Sequence, residues 1–354
     1  MKCHEFRFHM LTMAISALFL ILFSIDKLST EAQTIHHTIS QIENPNIQLL
    51  SVAWRPNGSQ IAFGTTRGLD IYDIKTARIN ALYHANGPIS PITWSPDGNN
   101  VAGVQQDEHK ILVWAVDGHL VGDFVGNIGY LWSIAWNRNH LLATGEWRKA
   151  SIWDTESFQL VKEIYTDDSD VLGLAWNSDG QRLALVLNVG GMEIWNTTKG
   201  NKVTTINSDR GVQSTSWSPD GKRIVTGGGY SSNATTECTT CVTWDPQIWF
   251  ADGTLWRAFH GHSDIVMVVK WSPDGKYILT GSRNNEFIIW DAATGKRIET
   301  LDFTLNSFNP LVMDYSIDWS PDGRYLALVT ASGHLGIWDI VRQRMLLDLN
   351  LETI

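Results

Sequence analysis

The sequence predicts an all-β fold, a seven-bladed β-propeller of four-stranded antiparallel blades, and three observations carry that reading. A tryptophan followed by a tight-turn sequence recurs seven times, at Trp54, Trp94, Trp136, Trp176, Trp217, Trp271 and Trp319. In six of the seven repeats a second aromatic follows 17–20 residues later, as Tyr72, Trp114, Trp153, Trp195, Trp290 and Trp338; in the fifth it is delayed to Trp249. The stretches between them carry short apolar alternations of strand length and no helical period.

Within a repeat each element has its own physical signal. Val266 and Val268, two residues apart ahead of Trp271, read as the inward face of a half-buried first strand. Ser272-Pro273-Asp274-Gly275 is a turn, because proline presets φ and glycine accepts φ > 0. A second apolar run covers Ile278 to Gly281, a third ends in Trp290-Asp291, and a fourth spans Arg297 to Leu301. One such sheet cannot bury both faces alone, whereas a closed ring of sheets can.

On these motifs the repeats resemble the WD-repeat β-propeller family from about Gln48 to Leu351. Repeat six is the closest match, with Gly261-His262, Trp271 through Gly275, Thr280-Gly281-Ser282 and Ile289-Trp290-Asp291. Only that repeat has the Gly-His pair, and Asn284 stands where the family has a loop aspartate. The resemblance therefore implies an incomplete His–Asp–Ser–Trp hydrogen-bond network, with blade cohesion resting on apolar packing. It also leads us to expect ring closure by Thr34–Ile39 lying beside, or in place of, the strand at Met345–Leu349.

The chain is 354 residues long with 17 Trp, and the two repeat positions use all but Trp132, Trp147, Trp244 and Trp256. A formal net charge of −10 argues against a nucleic-acid partner, whose phosphates call for cationic side chains. Three cysteines cannot build a disulfide framework. Lys2 and Arg7 precede an uncharged apolar run from Met10 to Ile25, and Thr30-Glu31-Ala32 offers a small-residue cleavage site. Residues 1–32 thus read as a secretory signal peptide, or alternatively as a short membrane anchor, with 33–354 as one propeller. The corresponding location is extracytoplasmic, secreted or periplasmic.

Irregular repeat spacing locates insertions at 230–245 and 303–312, and the family resemblance implies that both loops open at one end of the ring. The resemblance implies that residues four and six before each anchor tryptophan face the channel mouth at that end. Tyr130, Trp132, Met267, Met313 and Tyr315 then form an aromatic and methionine-rich rim joined by Trp147, the composition of an interface core, or else several of them pack beneath the inserted loops.

Chemical motifs are scarce. Cys238 and Cys241 lack the further ligands a zinc site needs and read as a local disulfide in an oxidising compartment. His262 of His260-Gly261-His262 falls on the family's structural histidine, which disfavours a metal pair. Asp167-Asp168-Ser169-Asp170 offers oxygen ligands for Ca²⁺ but no recognisable loop pattern, and reads better as a solvated turn. No catalytic constellation, metal site or cofactor is expected. The reading is an exported, non-catalytic, monomeric propeller that binds a protein or peptide through its loop-elaborated end. Its rivals are an extracytoplasmic hydrolase or lyase with polar residues in the channel, and an intracellular scaffold whose true start lies further along.

Overall fold

The computed structural model describes residues 47–84, 87–124, 129–189, 191–207, 211–229, 244–284, 286–301, 316–329 and 333–350. Seven four-stranded sheets follow one another along the chain, and within each the strands pair antiparallel in chain order. Blade one comprises Leu49–Trp54, Gln60–Thr65, Gly68–Asp73 and Arg78–His84. The first strands stand innermost: Leu49–Trp54 meets both Ile89–Trp94 of blade two and Ile317–Trp319 of blade seven, so the ring closes.

The core is divided among the junctions between blades. Seven apolar clusters occupy them, one per junction; Leu131, Ile134, Leu142 and Trp153 of blade three, for example, meet Val104, Ile111, Val113 and Phe124 of blade two. Each sheet therefore buries both faces only because it has neighbours on both sides, as a blade must.

The anchor tryptophans join blades through hydrogen bonds as well as packing. The indole N–H of Trp94 donates to the carbonyl of Ala53 at 3.1 Å, Trp176 to Ala135 at 3.0 Å, Trp217 to Ala175 at 3.0 Å and Trp319 to Lys270 at 3.3 Å. In every case the acceptor belongs to the residue just before the previous blade's anchor tryptophan. A buried indole N–H needs a partner, and the neighbouring inner strand supplies it. The second aromatic does a different job: in all seven blades the pairing of the third and fourth strands shifts register immediately before it, from Ile71/Tyr72 to Ile337/Trp338. Such a bulge raises local twist and swings the outer strand away from the plane of the inner ones.

The turn after each anchor is closed by a residue with positive φ. It is glycine in six repeats, with φ from +68° to +74°, but His140 in the third, at +59°. A side chain there is strained where glycine is not. His140→Gly is expected to stabilise the protein by about 0.5–1 kcal/mol, read as a higher urea midpoint at unchanged slope; a lower midpoint would show that the imidazole contributes more than its strain costs.

Two expectations are corrected. The outer place in blade seven is filled from the C-terminus, because Arg344–Asn350 pairs along His334–Asp339. The N-terminal segment does not replace that strand, and residues 34–39 lie outside the described residues. The blade-six network is also more nearly complete than the motif implied, because Thr280 serves as its hub. Trp290 Nε1 donates to Thr280 Oγ1 at 2.7 Å, and His262 Nε2 lies 2.6 Å from the same oxygen. Asn284, in the aspartate's place, accepts from Ser282 Oγ at 2.6 Å and donates to Ser263 Oγ at 2.8 Å. Thr144 and Thr226 accept the corresponding indole N–H in blades three and five, and Glu193 does so in blade four.

Candidate functional site

Antiparallel alternation fixes what gathers at each end of the ring. The turns after the anchor tryptophans lie at one end; the starts of the first strands and the turns between second and third strands lie at the other. Tyr130, Trp132, Trp147 and Met267 all fall at this second end. So do the connections that carry the two insertions, whose residues 230–243 and 302–315 lie outside the described residues.

Blade three carries the densest part of the rim. Leu131 is buried and anchors the segment in the core, so its neighbours on either side turn outward. Tyr130 is exposed and Trp132 half-buried, and their rings stand 4.5 Å apart, tilted by 54°, within the range of a favourable aromatic pair. Trp132 N–H donates to the Gly145 carbonyl at 2.9 Å, which extends the strand pairing up to the rim. Gln106 of blade two clamps the segment from the side, its Nε2 donating to the carbonyls of Leu131 at 2.6 Å and Ser90 at 3.1 Å.

Trp147 sits at the tip of the turn between Leu141–Glu146 and Lys149–Asp154, and 71% of its surface is open to solvent. That turn is braced on both flanks. Arg148, at φ +60°, accepts on its carbonyl from Thr166 N–H at 3.0 Å, and its guanidinium pairs with Asp168. Lys149 reaches Glu163 at 2.6 Å and the buried Glu146 at 3.3 Å. Burial opposes the Lys149 ammonium, but the two carboxylates outweigh it and hold its pKa above the ordinary value. A large apolar ring on a braced turn is presented to solvent without the ordering cost that a loose loop pays on binding.

Met267 is half-buried as the second residue of Val266–Trp271, at the same end but on blade six. Met313 and Tyr315 lie outside the described residues, as do Cys238 and Cys241. The structure therefore brings together Tyr130 and Trp132, sets Trp147 on the same blade, and places Met267 on the far side of the same rim. The Asp167–Asp170 turn is held by protein partners: Asp168 pairs with Arg148, and Ser169 Oγ accepts from Val189 N–H at 2.9 Å. His260 is 2.7 Å from Asp245, whereas the His262 imidazole lies inside the blade, where burial pushes its pKa down to about 4. The remaining unassigned tryptophans are structural. Trp256 lies under the guanidinium of Arg223 at 4.6 Å and that of Arg257 at 4.9 Å, and the Trp244 ring packs against Gly229, where any Cβ would strike it. Gln106 had no sequence signal, because its role depends on a neighbouring blade.

Comparison with known proteins agrees with this architecture. The family described as WD domain, G-beta repeat, matches residues 253–291 and 304–339, and that described as Anaphase-promoting complex subunit 4 WD40 domain matches 142–247. Protein FIZZY-RELATED 3 of Arabidopsis thaliana is 23% identical over 72% of this chain and 52% of its own length. The WD repeat-containing protein slp1 of Schizosaccharomyces pombe is 26% identical over 70% of the chain and 51% of its own, and the B-type cell cycle switch protein ccs52B of Medicago truncatula 23% over 68% and 49%. The chain thus spans about half the length of these relatives. They also correct the expected extracytoplasmic location: a cell cycle switch protein acts inside the cell, which conflicts with a secreted or periplasmic reading. Residues 1–32, on which that expectation rested, lie outside the described residues.

Proposed function

Because the chain belongs to the WD-repeat β-propeller family, we propose that it works as a non-catalytic scaffold that binds a protein or peptide through the loop-bearing end of its ring. The observation that carries this reading is the Tyr130–Trp132 ring pair with solvent-open Trp147 on the same blade, all three held by backbone contacts and buried neighbours. Rigid aromatic groups at a rim are what hot spots of protein interfaces are made of. Met267 extends the face across the channel mouth; Met313 and Tyr315, expected there from the family resemblance, lie outside the described residues. The enzyme alternative gains nothing from the relatives, since none of the three carries an enzyme's name.

Tyr130→Ala combined with Trp147→Ala tests the face, because both side chains are exposed and their removal leaves the core untouched. Proteins retained by the full chain from an extract of its own source are expected to fall by about tenfold or more on the double variant. The melting temperature is expected to move by no more than about 2 °C. Equal retention by the two proteins would remove this face from consideration.

A further inference from the structure

Two arginines of blade five are held by aromatic rings and by nothing else. Arg223 opens the second strand, Arg223–Gly228, and Arg257 lies in the fourth, Leu255–Ala258. Trp256, the extra residue at the bulge of that outer strand, receives both: Arg223 Cζ stands 4.6 Å from its ring centre and Arg257 Cζ 4.9 Å. Arg223 also covers Trp271 of blade six at 5.2 Å. Gly295 of blade six, at φ +74°, makes room for Arg257, since a Cβ there would stand 2.8 Å from its Nη1. Contacts of this kind fix the planes of the two guanidiniums.

The N–H edges are left unused. Among the described residues neither Arg223 nor Arg257 makes a side-chain hydrogen bond or an ion pair, although both are half-buried, and none of their nitrogens is closed to solvent. Arg55 shows the contrast. It lies over Trp94 at 5.5 Å, but its Nε donates to the Gly98 carbonyl at 2.8 Å and its Nη1 to Gln60 Oε1 at 2.8 Å, so that guanidinium ties blade one to blade two. The carboxylates near Arg223 and Arg257 are taken up by their own turns. Asp220 accepts from Ser218 Oγ at 2.6 Å and Lys222 N–H at 3.1 Å, and Asp291 from Thr294 N–H at 2.6 Å and Oγ1 at 2.7 Å. Stacked guanidiniums with free edges are ready-made forks, because their ordering cost is met before a ligand arrives.

We propose that Arg223 and Arg257 form a docking site for an acidic peptide segment of a partner, with carboxylates at alternate positions each accepting paired hydrogen bonds from one guanidinium. Planar carboxylates match the planar fork. Alternate residues of an extended chain share a face about 7 Å apart, a spacing that suits two guanidiniums laid against one ring. Leu255–Ala258 is the outer edge of its sheet, and Phe250, 39% exposed, has its ring 6.4 Å from that of Trp256. An extended polypeptide can use that edge and that ring, whereas a small diacid meets the arginines alone. A net charge of −10 gives a nucleic acid or an anionic membrane no long-range attraction to this protein, while short, directed bonds to single carboxylates are little affected. The site lies at the end of the ring opposite the aromatic rim and does not depend on it.

The test follows the Nε–H signals of the full chain labelled with ¹⁵N-arginine. Arg223→Lys and Arg257→Lys keep the charge and the apolar stem but lose the fork, and each identifies one signal by its disappearance. The probe is acetylated, amidated glutamyl-alanyl-glutamyl-leucine, compared with versions carrying glutamine or phosphoserine at both glutamates, and with glutarate. The glutamate peptide is expected to move both signals saturably and to bind about tenfold or more tightly than the glutamine peptide. Each lysine variant is expected to weaken it about fivefold or more. Lys222→Gln, which removes an exposed neighbouring charge, should change affinity by less than about twofold. If Arg223→Lys does not fold, because Arg223 also covers Trp271, the loss in Arg257→Lys decides alone. No saturable shift, equal affinity for the glutamate and glutamine peptides, or full affinity in Arg257→Lys would each overturn the proposal. So would a loss in Lys222→Gln as large as in Arg257→Lys, tighter binding of the phosphoserine peptide, or equal binding of glutarate. Tyr130→Ala with Trp147→Ala should leave this titration unchanged, so the two sites fail separately.

Discussion

Asp70→Asn is expected to make the protein more stable at pH 8, by about 2–4 kcal/mol, and to change little at pH 4. Asp70 lies within Gly68–Asp73, the third strand of blade one; it is 6% exposed and one carboxylate oxygen has no partner. Burial pushes its pKa up to about 7, against 3.8 for the free side chain. Between those two values the folded chain keeps a proton that the unfolded chain releases. Stability from this group is therefore fully present below about pH 4, falls as pH rises, and levels off above about 7. Asparagine has the shape of the protonated acid and does not titrate, so the difference between the two proteins should open across that window and then hold constant. Urea unfolding at pH 4, 6 and 8 measures it. A gain of the same size at every pH would mean that the carboxylate is not the cause.

His262 acts in the opposite sense over nearly the same range. Burial lowers its pKa from 6.5 to about 4, so the folded protein refuses a proton that the unfolded chain accepts. Its contribution to stability is present above about 6.5 and is lost as pH falls towards 4. In the parent protein the two groups offset one another and flatten the pH profile. Asp70→Asn uncovers the histidine, and the variant should show the steeper loss towards acid.

How much of this was visible beforehand depends on how local each feature is. The seven blades were legible because Trp-Ser-Pro-Asp-Gly states its own turn, and positive φ at Gly58, Gly98, Gly180, Gly221, Gly275 and Gly323 needs nothing from the rest of the chain. The family resemblance puts the positions four and six before an anchor tryptophan at the channel mouth, which pointed to Trp132 and Tyr130, and the turn between second and third strands pointed to Trp147. Features that depend on two blades were not legible. Gln106 clamps a segment of the next blade, and Arg223 of blade five covers Trp271 of blade six, which meet only when the blades are assembled. Asp70 was hidden for another reason: its place in the third strand is filled by Ser151, Glu193 or Ile288 in other blades, so no residue type marks it. The blade-six network was not legible from the motif because Asn284 stands where the aspartate is expected, whereas its amide still accepts from Ser282 and also donates to Ser263.

Thr280→Val is expected to destabilise the protein by about 2–4 kcal/mol, although it changes neither volume nor strand preference appreciably. Thr280 is fully buried in Tyr277–Ser282, and its hydroxyl holds two side chains at once: Trp290 Nε1 at 2.7 Å and His262 Nε2 at 2.6 Å. Valine keeps the apolar contacts and withdraws the oxygen, leaving an indole N–H and an imidazole nitrogen buried without a partner. That desolvation cost is what separates this substitution from an ordinary conservative exchange. Thr280→Ser keeps the hydroxyl and loses only a methyl group, and should cost about 1 kcal/mol, mostly packing. The comparison of the two is the measurement: equal losses on chemical unfolding would assign the effect to packing, whereas a clear excess for valine assigns it to the hub. A second valine substitution, Thr226→Val in blade five, places the result on a scale. There the hydroxyl accepts from Trp249 Nε1 at 3.0 Å, and Trp249 is only partly buried. With a single partner left unpaired, closer to water, the cost should be roughly half that in blade six or less.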